Sequence, residues 1–175
     1  MRWLDPPIMV IIGTALALAS CAPTEEGASE AETEQAGAES GMGLDRQAAE
    51  ALVEDFDRAA NAEDVDALMA IFVDDPVSLP PNVPPATGRD AVRDYWASFF
   101  AQGDLQVDNV LVDLHTSGDL AVARGSYELT ITPAEGEPIQ DAGKWVAWWR
   151  RGADGTWKAL GNAWSSNNPP PGQSG

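Results

Sequence analysis

From Arg46 to Asn61 apolar side chains recur at Ala49, Leu52, Val53, Phe56, Ala59 and Ala60. This i, i+3, i+4, i+7 spacing predicts an amphipathic helix. The same period continues from about Ala62 to Phe72, with Val65, Leu68, Met69 and Phe72 on one face, and predicts a second, shorter helix. Pro76 and the run Pro80-Pro81-Asn82-Val83-Pro84-Pro85 forbid helix beyond that point and leave room only for a short strand at Val77–Leu79. Gly88 precedes a third helix from Arg89 to Ala101, whose stripe is Val92, Tyr95, Trp96, Phe99 and Phe100.

After Gly103 the period changes to two. Leu105–His115 reads as a strand, Ser117-Gly118-Asp119 as a turn, and Leu120–Thr132 as a second strand alternating Ala121, Ala123, Gly125, Tyr127 and Leu129 with polar positions. Pro133–Pro138 is a loop. Gly143–Arg151 and Trp157–Asn167 form the last two strands, joined by the hairpin signal Ala153-Asp154-Gly155. Three helices followed by a four-stranded meander predict an α+β domain, residues 44–168, with helices on one face of a curved antiparallel sheet. Pro169-Pro170-Pro171 opens a disordered tail, residues 169–175.

The segment ahead of this domain follows different rules. Ile8 to Leu18 is apolar apart from Gly13 and Thr14. It is shorter than the roughly 20 residues a spanning helix needs. It fits the apolar region of a signal peptide, residues 1–20, behind Arg2. Leu18-Ala19-Ser20-Cys21 follows at once and resembles the lipobox of bacterial lipoproteins. That resemblance implies lipidation at Cys21, export, and a membrane held by the lipid anchor alone. With Ala22 after the cysteine, it implies the periplasmic face of the outer membrane or the cell surface. Residues 22–43 hold six Glu and no basic residue. Poor in large apolar groups, residues 21–43 read as a disordered, self-repelling tether, with an acidic binding tail as the alternative.

Charge and composition narrow the function classes. The chain carries 10 basic and 28 acidic residues, a formal net charge of −18, one His and one Cys. Nucleic acid is excluded as a partner, because phosphate binding needs clustered cations. A disulfide framework and a His/Cys zinc site are excluded by the single Cys and single His. No motif implies a cofactor. Seven Trp and 44% apolar residues are ample for a core.

The order of pieces resembles the nuclear transport factor 2-like superfamily, in its SnoaL-like and ketosteroid-isomerase-like branch. The residues that carry the resemblance are Asn61-Ala62-Glu63-Asp64, Phe72-Val73-Asp74-Asp75, Gly88-Arg89-Asp90-Ala91-Val92, Trp149-Arg150-Arg151, Asp154-Gly155-Thr156-Trp157-Lys158 and Trp164-Ser165. It covers Leu44 to Asn168. It implies a cone, a curved sheet wrapped on the three helices with an apolar pocket at its open end. Steroid isomerases of this fold use a carboxylate base and two oxyanion donors, a Tyr and a protonated Asp. The corresponding positions here are Pro80 for the base, and Phe56 and Ala147 for the donors. None carries the required group, and no catalytic residue is assigned.

A few other residues offer chemistry. His115 stands two residues from Asp113 near a strand end, where a base and a solvated pair are the two readings. Asp55, Asp57, Asp74 and Asp75 read as solvated or capping residues, with a hard-cation site as the alternative; no metal site is assigned. The fold implied by the resemblance brings Trp96, Tyr127 and Trp164 to the open end of the cone, where a ligand would bind. Lys144 or Asn167 would add a polar contact, an outward lysine on a solvated face being the other reading of Lys144. Trp145, Trp148 and Trp149 must occupy both sheet faces, and an outward Trp marks an interface. Relatives often dimerise through the outer sheet face, so a homodimer is expected. The reading is a membrane-tethered binder of a small apolar or amphipathic ligand. An enzyme of unassigned class and a structural lipoprotein with a filled cone stand as alternatives. A cavity above about 300 Å³ favours the first two.

Overall fold

The computed structural model describes residues 43–168; the signal segment, Cys21, the tether as far as Met42 and the tail lie outside the described residues. The elements are α1 (Arg46–Asn61), α2 (Val65–Ile71), β1 (Phe72–Leu79), β2 (Ala86–Thr87), α3 (Arg89–Phe100), β3 (Asp104–Ser117), β4 (Leu120–Thr132), β5 (Ile139–Arg151) and β6 (Trp157–Ser166). Asp45 and Asp64 cap α1 and α2, their carboxylates accepting from Ala48 N at 2.8 Å and Ala67 N at 2.9 Å. These caps fix the helix starts, because a short acceptor at the N-cap satisfies an otherwise orphaned N–H.

The strands form one six-stranded sheet in the order β2-β1-β6-β5-β4-β3. The expected meander is present as β3 to β6, all antiparallel neighbours. Two features differ from the expectation. The sheet is mixed, because β1 runs parallel to β6, and β1 begins at Phe72 rather than Val77. Asp74-Asp75-Pro76 hid that strand, since neither the alternation nor the proline suits a regular ladder. The structure accommodates them in an irregularity of register between Phe72↔Ala159 and Val77↔Gly161. There Pro76 needs no N–H, and its carbonyl accepts from Gly88 N at 2.8 Å.

Aromatic rings lie over cross-strand glycines along the curved sheet. Gly125 faces Trp145 and Gly143 faces Tyr127 on the inner side of the sheet, and Gly161 faces Trp148 on the outer side. A Cβ on Gly143 would lie 2.3 Å from Ser165 O and 2.5 Å from Tyr127 Cε1. Only hydrogen fits there. The aromatic rings cover the strand where glycine leaves it bare.

Helix α1 lies along β3, an edge strand whose unpaired backbone groups would otherwise be exposed. Asn61 accepts from Val107 N at 2.7 Å and donates to Val107 O at 3.0 Å. Asp57 accepts from both the backbone N–H (2.9 Å) and the side-chain amide of Asn109, and Glu63 accepts from Leu105 N at 3.2 Å. Asp57 is thus half-buried and engaged, not solvated. The core beneath α1 and α3 is closed by Leu68, Met69, Phe72, Val92 and Leu105, all at most 2% exposed.

Candidate functional site

The inner face of the sheet, α1 and α3 enclose a cavity of about 100 Å³. Leu52 and Phe56 of α1 and Trp96 and Phe99 of α3 form one wall; Tyr127, Trp145, Ala147 and Trp164 of the sheet form the other. No Asp, Glu, Lys, Arg or His lines it. The volume is well below the 300 Å³ lower end of ligand clefts, because the cone is largely filled by its own rings. Trp96 stacks on Trp164 with centroids 5.4 Å apart, and meets Phe56 edge-on at 5.5 Å and Phe99 edge-on at 5.6 Å.

Strand phase decides which predicted residues reach this space. Trp96, Tyr127 and Trp164 line it together. Lys144 and Asn167 do not. Trp145, Ala147 and Trp149 point inward, so a period of two turns Lys144 to the outer face. Its ammonium donates to Ser166 O and to Asn167 Oδ1, both at 3.0 Å, and both Lys144 and Asn167 are exposed. Tyr127 contributes its ring rather than its hydroxyl, which donates to Asp141 Oδ2 at 2.7 Å. Burial, reinforced by that hydrogen bond and the Asp141 charge, holds the phenol far above its usual pKa. It is no acid or base near neutrality.

The remaining polar groups in the wall are mostly engaged. Trp145 Nε1 donates to Ser126 O at 3.0 Å, Asn109 donates to Asp57, and Asn162 Oδ1 accepts from Ser78 Oγ at 2.5 Å. Behind Asn109, burial raises the pKa of Asp57 above its ordinary 3.8, against the pull of the Asn109 hydrogen bonds. Asn109, Asn162 and Phe99 are wall residues that the sequence reading did not assign to a site. The alternation that placed Trp164 inward also marks Asn162 two residues before it.

Phe56 and Ala147 line the cavity with hydrocarbon, and Pro80 is buried but outside the wall. His115 lies 3.3 Å from Asp113, with its side chain 80% exposed, away from the cavity. Among the described residues, no group of three or more His, Cys, Asp or Glu is placed to hold a metal ion.

Comparison with solved structures finds the same fold. A ketosteroid isomerase-like protein from Erwinia carotovora atroseptica is 27% identical, with a TM-score of 0.62, over 69% of this chain and 94% of its own. A conserved protein from Planctomyces limnophilus is 19% identical, with a TM-score of 0.63, over 69% of this chain and 95% of its own. A nuclear transport factor 2-like superfamily protein from Salmonella enterica serovar Typhimurium is 13% identical, with a TM-score of 0.63, over 74% and 95%. No curated protein matches the chain. The SnoaL-like domain matches residues 53–160, from within α1 into β6. That match spans more than half the sequence and the whole wall of the cavity apart from its two ends, Leu52 and the Asn162–Trp164 segment; this chain belongs to the SnoaL-like domain family.

Proposed function

We propose that the protein is an exported lipoprotein, anchored through Cys21, whose domain binds a small apolar ligand in the cavity between α1, α3 and the sheet. The observation that carries the reading is the wall itself. It is aromatic and aliphatic, with no ionisable group except a Tyr127 whose hydroxyl is committed to Asp141. Acid–base catalysis needs a titratable group within reach of the reacting proton. Binding needs only shape and apolar surface, which this wall has. By the measure of about 300 Å³ the volume stands with a filled cone, so the reading rests on the wall and not on the volume; a guest is limited to a single small ring, since a cavity of about 150 Å³ is what holds benzene.

The lipobox-like Leu18-Ala19-Ser20-Cys21 and the acidic segment after it support a tethered domain. A second copy is the proposed partner on the outer sheet face. Trp148 lies on that face over Gly161, near Val122 and Leu120, which are 46% and 52% exposed. These exposed apolar side chains, set among Arg124 and Arg150, suit self-association.

The binding reading is tested by titrating the full chain with toluene while following tryptophan fluorescence. Four of the seven Trp line the cavity and report on it. Saturable binding is expected, and Ala147→Leu, which fills the space, should abolish it while leaving the protein at least as stable. Absence of saturable binding, or binding indifferent to Ala147→Leu, overturns the reading.

A further inference from the structure

Every tryptophan carries one N–H, and a buried N–H without an acceptor is penalised because water has been removed and nothing replaces it. Among the described residues, one buried side-chain polar atom is left in that condition, Trp96 Nε1. Trp96 is 5% exposed, sits in the middle of the aromatic cluster and lines the cavity. Its neighbour in the wall, Trp145, has its own N–H satisfied by Ser126 O. The rings packed around Trp96 are those of Phe56, Tyr95, Phe99, Phe100 and Trp164, and the one oxygen among them, the Tyr95 hydroxyl, makes no hydrogen bond to Nε1.

We infer that the cavity is built for a neutral, compact ligand carrying one hydrogen-bond acceptor, a carbonyl or ether oxygen, which receives Trp96 Nε1–H. The inference rests on the binding reading above and adds to it the chemical class of the guest. Neutrality follows from the wall, which offers no cation to an anionic group and no anion to a cationic one. The chain's net charge of −18 further disfavours an anion. Compactness follows from the cavity of about 100 Å³. The acceptor follows from the orphaned donor. A pure hydrocarbon would fill the space and leave the N–H unpaired; a ligand oxygen removes the penalty and fixes the orientation of the guest.

Two isosteric probes separate this inference from the reading it rests on. Cyclohexanone and methylenecyclohexane have the same ring and nearly the same shape, but one ends in C=O and the other in C=CH₂. Their dissociation constants are measured on the full chain and on Trp96→Phe, which keeps an aromatic ring and deletes the donor. The ratio of the two constants is expected to favour the ketone about tenfold more in the unaltered chain than in Trp96→Phe. The same ratio in both proteins overturns the acceptor, while binding of both probes leaves the apolar site standing. Binding of neither probe overturns both. A second measurement does not depend on the variant's folding. In the ¹⁵N-labelled unaltered protein the Trp96 indole proton should shift downfield with cyclohexanone and not with methylenecyclohexane. An indole proton indifferent to the ketone at saturation would show that the N–H is satisfied by a neighbouring ring face instead.

Discussion

Trp96 on α3 and Trp164 on β6 lie nearly face to face, with centroids 5.4 Å apart and planes 24° from parallel. The pair fastens the third helix to the last strand, two elements far apart in the chain. Stacked aromatic pairs contribute about 0.5–1.5 kcal/mol beyond the area they bury. Trp164→Ala is therefore expected to cost about 3 kcal/mol, the low end for a large aromatic because Trp164 is only half-buried. Trp164→Phe should cost less than half as much. Urea unfolding checks both, and a loss below about 1 kcal/mol for the alanine would show that the stack holds little.

Asn61 seals the edge of β3 by exchanging two hydrogen bonds with Val107. Asn61→Ala leaves that N–H and carbonyl without side-chain partners and should cost about 1–3 kcal/mol. Hydrogen exchange should quicken at Val107 while the inner strands β4 and β5 remain protected. Unchanged exchange at Val107 would mean that the helix shields the edge by coverage alone.

Asp57 makes stability depend on pH in a definite direction. Its folded-state pKa lies above 3.8, raised by burial, so the folded protein holds the proton more tightly than the unfolded chain. The contribution to stability is full below 3.8 and is lost as pH rises through the folded value. Asp57→Asn removes the titration. The stability of the unaltered protein relative to Asp57→Asn should accordingly decline as pH rises through that window and then level off. Denaturation midpoints measured on both proteins from acid to neutral pH would show it, and a relative stability that climbs with pH would reverse the assignment.

Gly143 and Gly118 are expected to differ in kind. A Cβ at Gly143 meets the backbone oxygen of Ser165 at 2.3 Å, and backbone cannot swing aside. Gly143→Ala should cost roughly 1–3 kcal/mol or more and loosen the Tyr127 ring above it. Gly118 has open space around it and only its φ of +58° to defend, so Gly118→Ala should cost about 1 kcal/mol. Thermal unfolding of the two variants side by side decides the order. Equal losses would mean that the β5–β6 pair yields at Gly143.

Cys21→Ser tests the anchor separately from the domain. The variant should lose its lipid and its stable membrane association, since lipid attachment needs the thiol and stable anchoring needs more than one acyl chain. The folded domain should be unaffected. Mass spectrometry of the native protein purified from membranes is the direct check, and an unmodified Cys21 there would end the lipoprotein reading.

Much of this molecule is written in local periodicity. The stripe Ala49, Leu52, Val53, Phe56 and the stripe Val92, Tyr95, Trp96, Phe99 determined α1 and α3, and alternation around Tyr127 and Trp164 determined which strand faces turn inward. The same alternation, read from Trp145 and Ala147, also sends Lys144 outward. The hydrocarbon character of Phe56 and Ala147 was equally legible, because side-chain chemistry needs no coordinates. What the chain did not carry locally depends on partners distant in sequence. Strand β1 exists through its parallel pairing with β6, which absorbs Asp74-Asp75-Pro76 in a register irregularity. Asp57 looked like a solvated helix residue until the edge of β3 was placed beside it. The volume of the cavity and the unpaired N–H of Trp96 are differences between what surrounds a group and what it needs. Period and composition describe the group alone, and only packing in three dimensions supplies the surroundings.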